Sequence, residues 1–399
     1  MFNTGRRLLL LLYNRPNYEV PLDPIPCHSC RNWELVFRDN YLKHMANLLI
    51  KDLVNEETYN TVVGYIYDYS REVQDENNCD YRKTLSDILD GYVELVRNNS
   101  YDTLFFAEVV ANVYMLNRVV TSCYQGKRST AYIQLKNLLK RYEKESIFVE
   151  IPTDAIYYRM RVCDLRKEIK RKELFHIPFE KIRQIKTQRY SSPGYPCLYL
   201  GESLYGCWEE MQRPDTESTL FSVFKTTRPF KVVDMRIPTL QDYLANAEFY
   251  LKFFPIIIAS TIPVINGNDI FKPEYLLPQM ILEWVIDKRK EINAIGVYYT
   301  SAFKNGEFYK LDHEWDNLVL PVQKTSDKGI CKELASYFTM TKPTCYEYEF
   351  MQGNINNTAV WDDGPKRKSE DKEKNNYYWS LFSRLEEKME NAVFASPDA

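Results

Sequence analysis

Apolar residues recur three and four positions apart between residues 31 and 146, a spacing that places them on one face of an α-helix. The clearest repeat follows Thr84, a predicted N-cap, and consists of Leu85, Ile88, Leu89, Tyr92, Val93 and Val96. A weaker repeat covers 42–53, and further helices are predicted over 103–123 and 129–143. The 103–123 helix is apolar on most faces, which favours a central position. A bundle of about four or five helices would account for this segment.

From residue 147 onwards, short β-rich runs alternate with prolines, glycines and a few helical patterns. The predicted strands are 156–162, 197–200, 218–224, 231–235, 256–262, 294–299 and 318–322. Helices are predicted over 203–212 and 277–288. The mixture predicts an α+β domain.

The chain therefore divides into four parts. An N-terminal extension with a Cys-x-x-Cys pair occupies 1–30, the helical domain 31–146, the α+β domain 147–358, and a tail 359–399. In the tail, a charged run reads as a solvated linker. The aromatic and apolar residues that follow it predict a closing helix: Tyr377, Tyr378, Trp379, Leu381, Phe382 and Leu385.

Composition narrows the function classes. The 399 residues carry a formal net charge of −3, which argues against non-specific binding to nucleic acid or to an anionic membrane. The apolar run after Arg7 is shorter than the core of a signal peptide, and no run reaches the roughly 18 to 20 apolar residues that span a bilayer. Nine scattered cysteines favour reduced thiols. We therefore expect a cytoplasmic protein that does not bind membranes.

Cys27 and Cys30 form half of a zinc-binding pair. A structural zinc site needs four ligands, and the sequence offers no second pair, so no metal is expected, although zinc at these two cysteines stays open. Arg38 and His44 loosely match the spacing of helical HEPN ribonucleases. That spacing is permissive, so we interpret the helical segment as a regulatory or protein-binding module.

The stretch 188–200 combines several features of a ligand site. Arg189 precedes a Pro-Gly turn, an apolar strand carrying Tyr199 follows, and Glu210 lies ten residues further on. Two N–H groups of a planar guanidinium can bind two phosphate oxygens at once, and an aromatic ring offers a flat face on which a ligand ring can stack. These residue types predict a site for an anionic ligand that contains a ring.

Arg159 precedes this stretch and Ser301 follows it. Arg159, Glu210 and Ser301 thus occur in the order that is typical of the RES domain, and residues 150–325 resemble that domain. RES domains are named for an Arg, a Glu and a Ser in that order, and known members are toxins that destroy NAD. Their core is similar to ADP-ribosyltransferases. Arg159 and Arg161 lie on the same face of a strand, and we favour Arg159 as the family arginine. The helical segment resembles the HEPN-like domain of longer RES proteins.

The resemblance implies a role for each matching residue. Glu210 would stabilise the positive charge that develops on ribose when the nicotinamide bond breaks. Arg159 and Arg189 would hold the pyrophosphate, Tyr199 would face the nicotinamide, and Ser301 would donate to a ribose or amide oxygen. The catalytic set is thus Glu210, Arg159 and Ser301, and the NAD-binding set is Arg189, Tyr190, Tyr199, Arg161 and Gln279.

The sequence leaves several alternatives open. NAD is the expected substrate, with water or phosphate as the acceptor; ADP-ribosyl transfer to a macromolecule and a non-catalytic NAD-sensing protein are the alternatives. An antitoxin or regulatory protein is an expected partner, although the helical domain could silence the site instead, and self-association stays open. No nucleic-acid partner is expected. His176 is interpreted as a structural histidine that caps or bridges backbone.

Overall fold

Four α-helices precede the sheet in the part of the chain that the structure describes. The structure, a computed structural model, describes residues 54–75, 80–99, 103–143, 147–163, 169–215, 218–302, 315–351 and 381–398. The helices are α1 (Glu56–Asp75), α2 (Tyr81–Asn99), α3 (Thr103–Tyr124) and α4 (Arg128–Leu139). The predicted 42–53 helix, the Cys27/Cys30 pair and the Arg38/His44 pair lie outside the described residues.

The predicted cap of α2 is wrong. The helix begins at Tyr81, and the Asp80 side chain accepts a hydrogen bond from the Arg82 N–H at 3.0 Å. Thr84 is therefore inside the first turn. Aspartate and threonine both cap helices, and the apolar repeat alone did not reveal the extra turn before Leu85.

Within the described residues, eight strands form one mixed sheet. They are β1 (Phe148–Ile151), β2 (Ile156–Val162), β3 (Cys197–Gly201), β4 (Thr219–Thr226), β5 (Phe230–Met235), β6 (Ala294–Thr300), β7 (Asp316–Pro321) and β8 (Phe338–Met340). Their spatial order is β1-β5-β6-β7-β3-β2-β4-β8. The β5–β6 pair is parallel and the other pairs are antiparallel. Six of the predicted strands are confirmed, and the short β1 and β8 were not predicted.

Seven helices follow in the described part of the chain. They are α5 (Leu204–Glu210), α6 (Leu240–Ala245), α7 (Ala247–Thr261), α8 (Leu276–Ile292), α9 (Lys332–Ala335), α10 (Tyr346–Met351) and α11 (Leu381–Glu390). The predicted strand 256–262 is wrong, because it is the second half of α7. This half of the helix is buried on all sides, so its apolar run carries no helical period. The mixed α+β class is confirmed.

The helical segment and the sheet share one hydrophobic core. Buried residues of α2 and α3 pack against α7 and α8, and these in turn pack against one face of β5, β6 and β7. The Tyr92 hydroxyl donates to the Leu251 carbonyl at 2.6 Å, and the Asn112 amide donates to the Lys252 carbonyl at 2.9 Å. The core therefore continues across the predicted domain boundary at residue 147.

The two faces of the sheet have different coverings. The helical face carries Tyr199, Tyr299 and Asn317, and α7, α8 and the short α5 lie against it. The opposite face carries Leu198 and Leu318 and packs against the loop that contains Phe175 and Phe179. None of the helices that the structure describes is long and apolar enough to cross a membrane.

Candidate functional site

Glu210 is the last residue of α5, the short helix that follows β3. Ser203 caps this helix by accepting a hydrogen bond from the Gly206 N–H at 2.8 Å. At Gly201, where the strand ends, an added Cβ would lie 2.8 Å from the Cys207 sulfur, so only glycine allows the helix to pack this closely. The cap and the close approach fix Glu210 over the helical face of the sheet.

Two neutral donors bind one oxygen of Glu210. Its Oε1 accepts from the Ser301 hydroxyl and from the Asn317 side-chain amide, the latter at 3.0 Å. Ser301 follows β6, and its backbone N–H donates to the Trp315 carbonyl at 2.9 Å. The structure therefore brings the predicted Glu210 and Ser301 into direct contact.

The pKa of Glu210 is raised above the ordinary glutamate value, chiefly by burial. The Ser301 hydrogen bond, the positive charge of Arg189 and the Asn317 hydrogen bond act in the opposite direction, because each favours the carboxylate. Burial makes the carboxylate a stronger electrostatic partner for a cation, while the three opposing groups favour its ionised form.

Arg189 is the cation of this site. Its Nη1 donates to the carbonyls of Ser260 and Ile262, both at 3.0 Å, at the end of α7. Its guanidinium also lies 5.3 Å from the centre of the Tyr275 ring. These contacts hold the side chain and use only Nη1 of the guanidinium. Nε and Nη2 have no hydrogen-bond partner in the described part of the chain.

Tyrosines line the helical face beside Glu210. The rings of Tyr190 and Tyr299 are 4.5 Å apart, and the Tyr199 hydroxyl donates to the Ser191 hydroxyl at 3.0 Å. Tyr199 and Tyr190, both predicted for the site, thus belong to one aromatic group with Tyr299. Burial raises the pKa of all three phenols, so they are neutral near pH 7.

Arg159 and Arg161 do not contact Glu210 in the structure. Alternation along β2 places both on the opposite face of the sheet. The Arg159 guanidinium reaches back between β2 and β3 and donates to the Tyr199 carbonyl at 2.7 Å, and Arg161 donates to the Glu173 carbonyl at 2.6 Å. Burial lowers the pKa of Arg159 to about 10, which leaves it cationic near pH 7.

Gln279 and His176 bind backbone. The Gln279 amide donates to the Thr187 hydroxyl and the Gln188 carbonyl, both at 3.0 Å, and so braces the loop that carries Arg189. His176 is fully buried; its Nε2 accepts from the Cys331 N–H at 2.7 Å, and its Nδ1 lies 2.8 Å from the Ile177 carbonyl. Burial lowers its pKa to about 4. The prediction of a structural histidine is confirmed.

Three site residues were missed by the sequence analysis: Asn317, Tyr275 and Tyr299. The predicted strand began one residue after Asn317, because that polar residue precedes an apolar run. A signal existed in the strand pattern, since Asn317 pairs with Gly201 and faces the same side as Tyr299. Nothing in the local sequence marks Tyr275.

A charged network supports the strand ends behind Ser301 and Asn317. Arg236 forms a paired salt bridge with Asp234, at 2.9 and 2.8 Å, and its Nη1 lies 3.8 Å from Asp316. The Thr300 hydroxyl donates to Asp316 at 2.7 Å. Among the described residues, no group of three or more histidine, cysteine, aspartate or glutamate side chains could hold a metal ion.

One curated protein is similar to this chain over most of its length. It is named "Putative toxin YopC", from Bacillus subtilis (strain 168), and is 29% identical over 367 residues, covering 79% of this chain and 81% of the relative. No family model and no solved structure matches the chain.

Proposed function

We propose that this chain is a toxin that cleaves NAD at the bond between nicotinamide and ribose, with Glu210 as the catalytic carboxylate. The observation that carries the proposal is the position of Glu210: two hydrogen bonds orient its carboxylate, which lies within reach of the Arg189 charge and beside a group of tyrosines. The name of the similar bacterial protein supports a toxin, and the ordered RES-like residues support NAD as the substrate.

The chemistry needs a carboxylate that stays ionised. The bond from the nicotinamide nitrogen to C1′ of ribose breaks, its electron pair leaves with neutral nicotinamide, and positive charge develops on C1′ and the ring oxygen. The Glu210 carboxylate stabilises that charge. Water then forms the new bond at C1′ and releases a proton to solvent; with phosphate as acceptor, a phosphate oxygen forms the bond instead.

Arg189 is the best-placed phosphate ligand in the described part of the chain. Its Nη1 is occupied by two carbonyls, which leaves Nε and Nη2 for an oxyanion. Arg159 has a different role in this proposal. By donating to the Tyr199 carbonyl, it holds strand β3 in place. Arg159 is therefore a positioning residue.

Nicotinamide release from NAD tests the proposal. Glu210→Gln keeps the shape of the side chain and removes its charge, so release should fall by about 10²-fold or more. The matched control is Glu209→Gln, which changes the neighbouring carboxylate on α5 that pairs with Arg213. Assays with and without phosphate identify the acceptor.

Two outcomes would overturn the proposal. One is a folded wild-type protein that releases no nicotinamide under either condition. The other is a folded Glu210→Gln variant that releases nicotinamide as fast as Glu209→Gln.

A further inference from the structure

Two polar atoms behind Arg189 are buried and have no hydrogen-bond partner. They are the hydroxyl of Tyr81, the first residue of α2, and Oε2 of Glu274, which precedes Tyr275. The residues are 1% and 2% exposed. A buried polar atom left unpaired costs about 1–3 kcal/mol, so such atoms normally have a partner.

The fold accounts for only part of this arrangement. Glu274 Oε1 accepts from the Ile265 N–H at 3.1 Å and so holds the loop between α7 and α8. Oε2 has no such task. Tyr81 comes from the helical segment, far away in the sequence, and its phenol oxygen also has no structural task in the described part of the chain.

Arg189 and Glu274 hold the same loop. Arg189 donates to the Ile262 carbonyl, the Ile265 N–H donates to Glu274, and the Arg189 guanidinium lies beside the ring of Tyr275, the residue after Glu274. The charges of Glu274 and Arg189 also act on the Tyr81 phenol, which places Tyr81 near them. Among these groups, Glu210 is an electrostatic neighbour of Arg189 and Tyr275, so Glu274 and Tyr81 extend the site beyond Arg189.

The groups of NAD occur in a matching order. With the nicotinamide ribose at Glu210 and the pyrophosphate at Arg189, the next group along the dinucleotide is the ribose of adenosine. Its two hydroxyls are donors that a carboxylate oxygen accepts, and a phenol can donate or accept. A carboxylate at a ribose 2′-hydroxyl is also the arrangement that favours NAD over NADP, because a 2′-phosphate would bring two negative groups together.

We infer that Tyr81 and Glu274 form a subsite for the second ribose, which selects NAD over its 2′-phosphorylated form. The inference rests on the function proposed above and adds its substrate specificity. It also makes the helical segment part of the site. Both atoms are out of contact with solvent, so ligand entry requires the 262–275 loop to shift.

Binding and turnover are measured on the full chain. Calorimetry compares ADP-ribose with 2′-phospho-ADP-ribose, and nicotinamide release compares NAD with NADP. Wild-type protein should prefer the unphosphorylated ligand by about 100-fold or more, since like charges brought together cost several kcal/mol. Glu274→Gln should reduce that preference at least about 10-fold. The control is Glu349→Gln, another buried glutamate, which should keep the full preference.

Tyr81→Phe gives a second, independent readout. It removes one oxygen and should lower kcat/KM for NAD about 10-fold, as expected for one lost hydrogen bond. It should leave kcat/KM for nicotinamide mononucleotide unchanged, because that substrate lacks the second ribose. A merely structural role would lower both values together.

The outcomes separate the two levels of argument. If the wild type releases nicotinamide but folded Glu274→Gln keeps the full preference, the subsite is wrong and the proposed function stands. If Tyr81→Phe lowers kcat/KM equally for NAD and for nicotinamide mononucleotide, the subsite is also wrong. This comparison decides the question if Glu274→Gln fails to fold. If folded wild-type protein binds neither ligand and releases no nicotinamide, the proposed function itself fails.

Discussion

The Ser301 hydroxyl and the Asn317 amide share one oxygen of Glu210 in a partly buried position. Burial alone would favour the protonated acid, and these donors favour the anion. In the proposed reaction, this balance would set the pH range in which the carboxylate can stabilise a cationic transition state. Under that proposal, Ser301 would affect the chemistry through Glu210 as well as through any contact with substrate.

Ser301→Ala tests that balance. Loss of a hydrogen bond to a charged group costs the anion about 1.5–3 kcal/mol, so the pKa of Glu210 should rise by about one to two units. The proposed cleavage needs the ionised form and is lost as pH falls through this pKa. The acid limb of the pH profile for nicotinamide release should therefore move to higher pH by that amount.

The control for this experiment is Ser218→Ala, an alanine substitution at a half-buried serine whose hydroxyl donates to the Asp215 carbonyl. Its acid limb should coincide with that of the wild type. A folded Ser301→Ala variant with an unmoved limb would contradict the assigned hydrogen bond, whatever happens to the maximal rate.

Residue order predicted part of this site. Glu210 and Arg189 were picked out by their residue types in one short stretch and by their place in the RES-like order. The orientation of Arg159 could not be found this way, since it depends on where β2 and β3 separate: their pairing is confined to Tyr158 and Gly201. Asn317 was missed because its role depends on a strand register between distant segments.

At the scale of elements, α11 holds the helix that carries Glu210. The Glu386 carboxylate accepts from the Leu204 N–H, at the first turn of α5, at 2.5 Å. The Phe382 ring contacts the rings of Tyr205 and Trp208, with centroids 5.7 and 5.5 Å away. A short helix has few hydrogen bonds of its own, so it depends on such contacts.

Glu386→Ala should weaken this support. It leaves the buried Leu204 N–H without an acceptor, which should lower the free energy of unfolding by about 1–3 kcal/mol and reduce nicotinamide release. Glu386→Gln keeps an acceptor oxygen and should restore much of both. Thermal unfolding and the release assay measure the two effects.

The exposed neighbour Glu387 supplies the control, since it lies on the same helix and faces solvent. Glu387→Ala should behave as the wild type. If Glu386→Ala had the same stability and the same rate of nicotinamide release as Glu387→Ala, α11 would not position α5.

Several element types followed from helical spacing or from short β-rich runs. Helix α3 was predicted close to its observed bounds from its helical pattern, and strands β2, β3 and β6 were predicted close to theirs as short β-rich runs. Helix α7 was predicted as a strand because burial on all sides removes that pattern, and its Pro255 lies inside the helix. Only the packing of α3, α8 and the sheet around it identifies it as a central helix.

At the scale of the whole molecule, the shared core decides how the helical segment can act. Val109, Leu116 and Val120 of α3 are at most 1% exposed and belong to the same cluster as Val297 and Val319 of the sheet. Lys252 of α7 also forms an ion pair with Glu108 at 2.8 Å. The helical segment therefore belongs to the core that supports the site, and we expect its removal to disrupt folding rather than only release the site.

A fragment of residues 147–399 should consequently fail to fold. Truncating one large buried side chain costs about 2–5 kcal/mol, and the whole stability of a protein is only about 5–15 kcal/mol. Removal of the four helices α1 to α4, which all contribute to the core, therefore exceeds that stability. Circular dichroism and size-exclusion chromatography should show an unfolded or aggregated chain without nicotinamide release. The full-length Tyr92→Phe variant, which loses only one hydrogen bond to Leu251, is the matched control and should stay folded with a small loss of stability. A soluble, cooperatively unfolding 147–399 fragment would contradict the shared core, and a higher rate of release from it would restore the helical segment as an inhibitor.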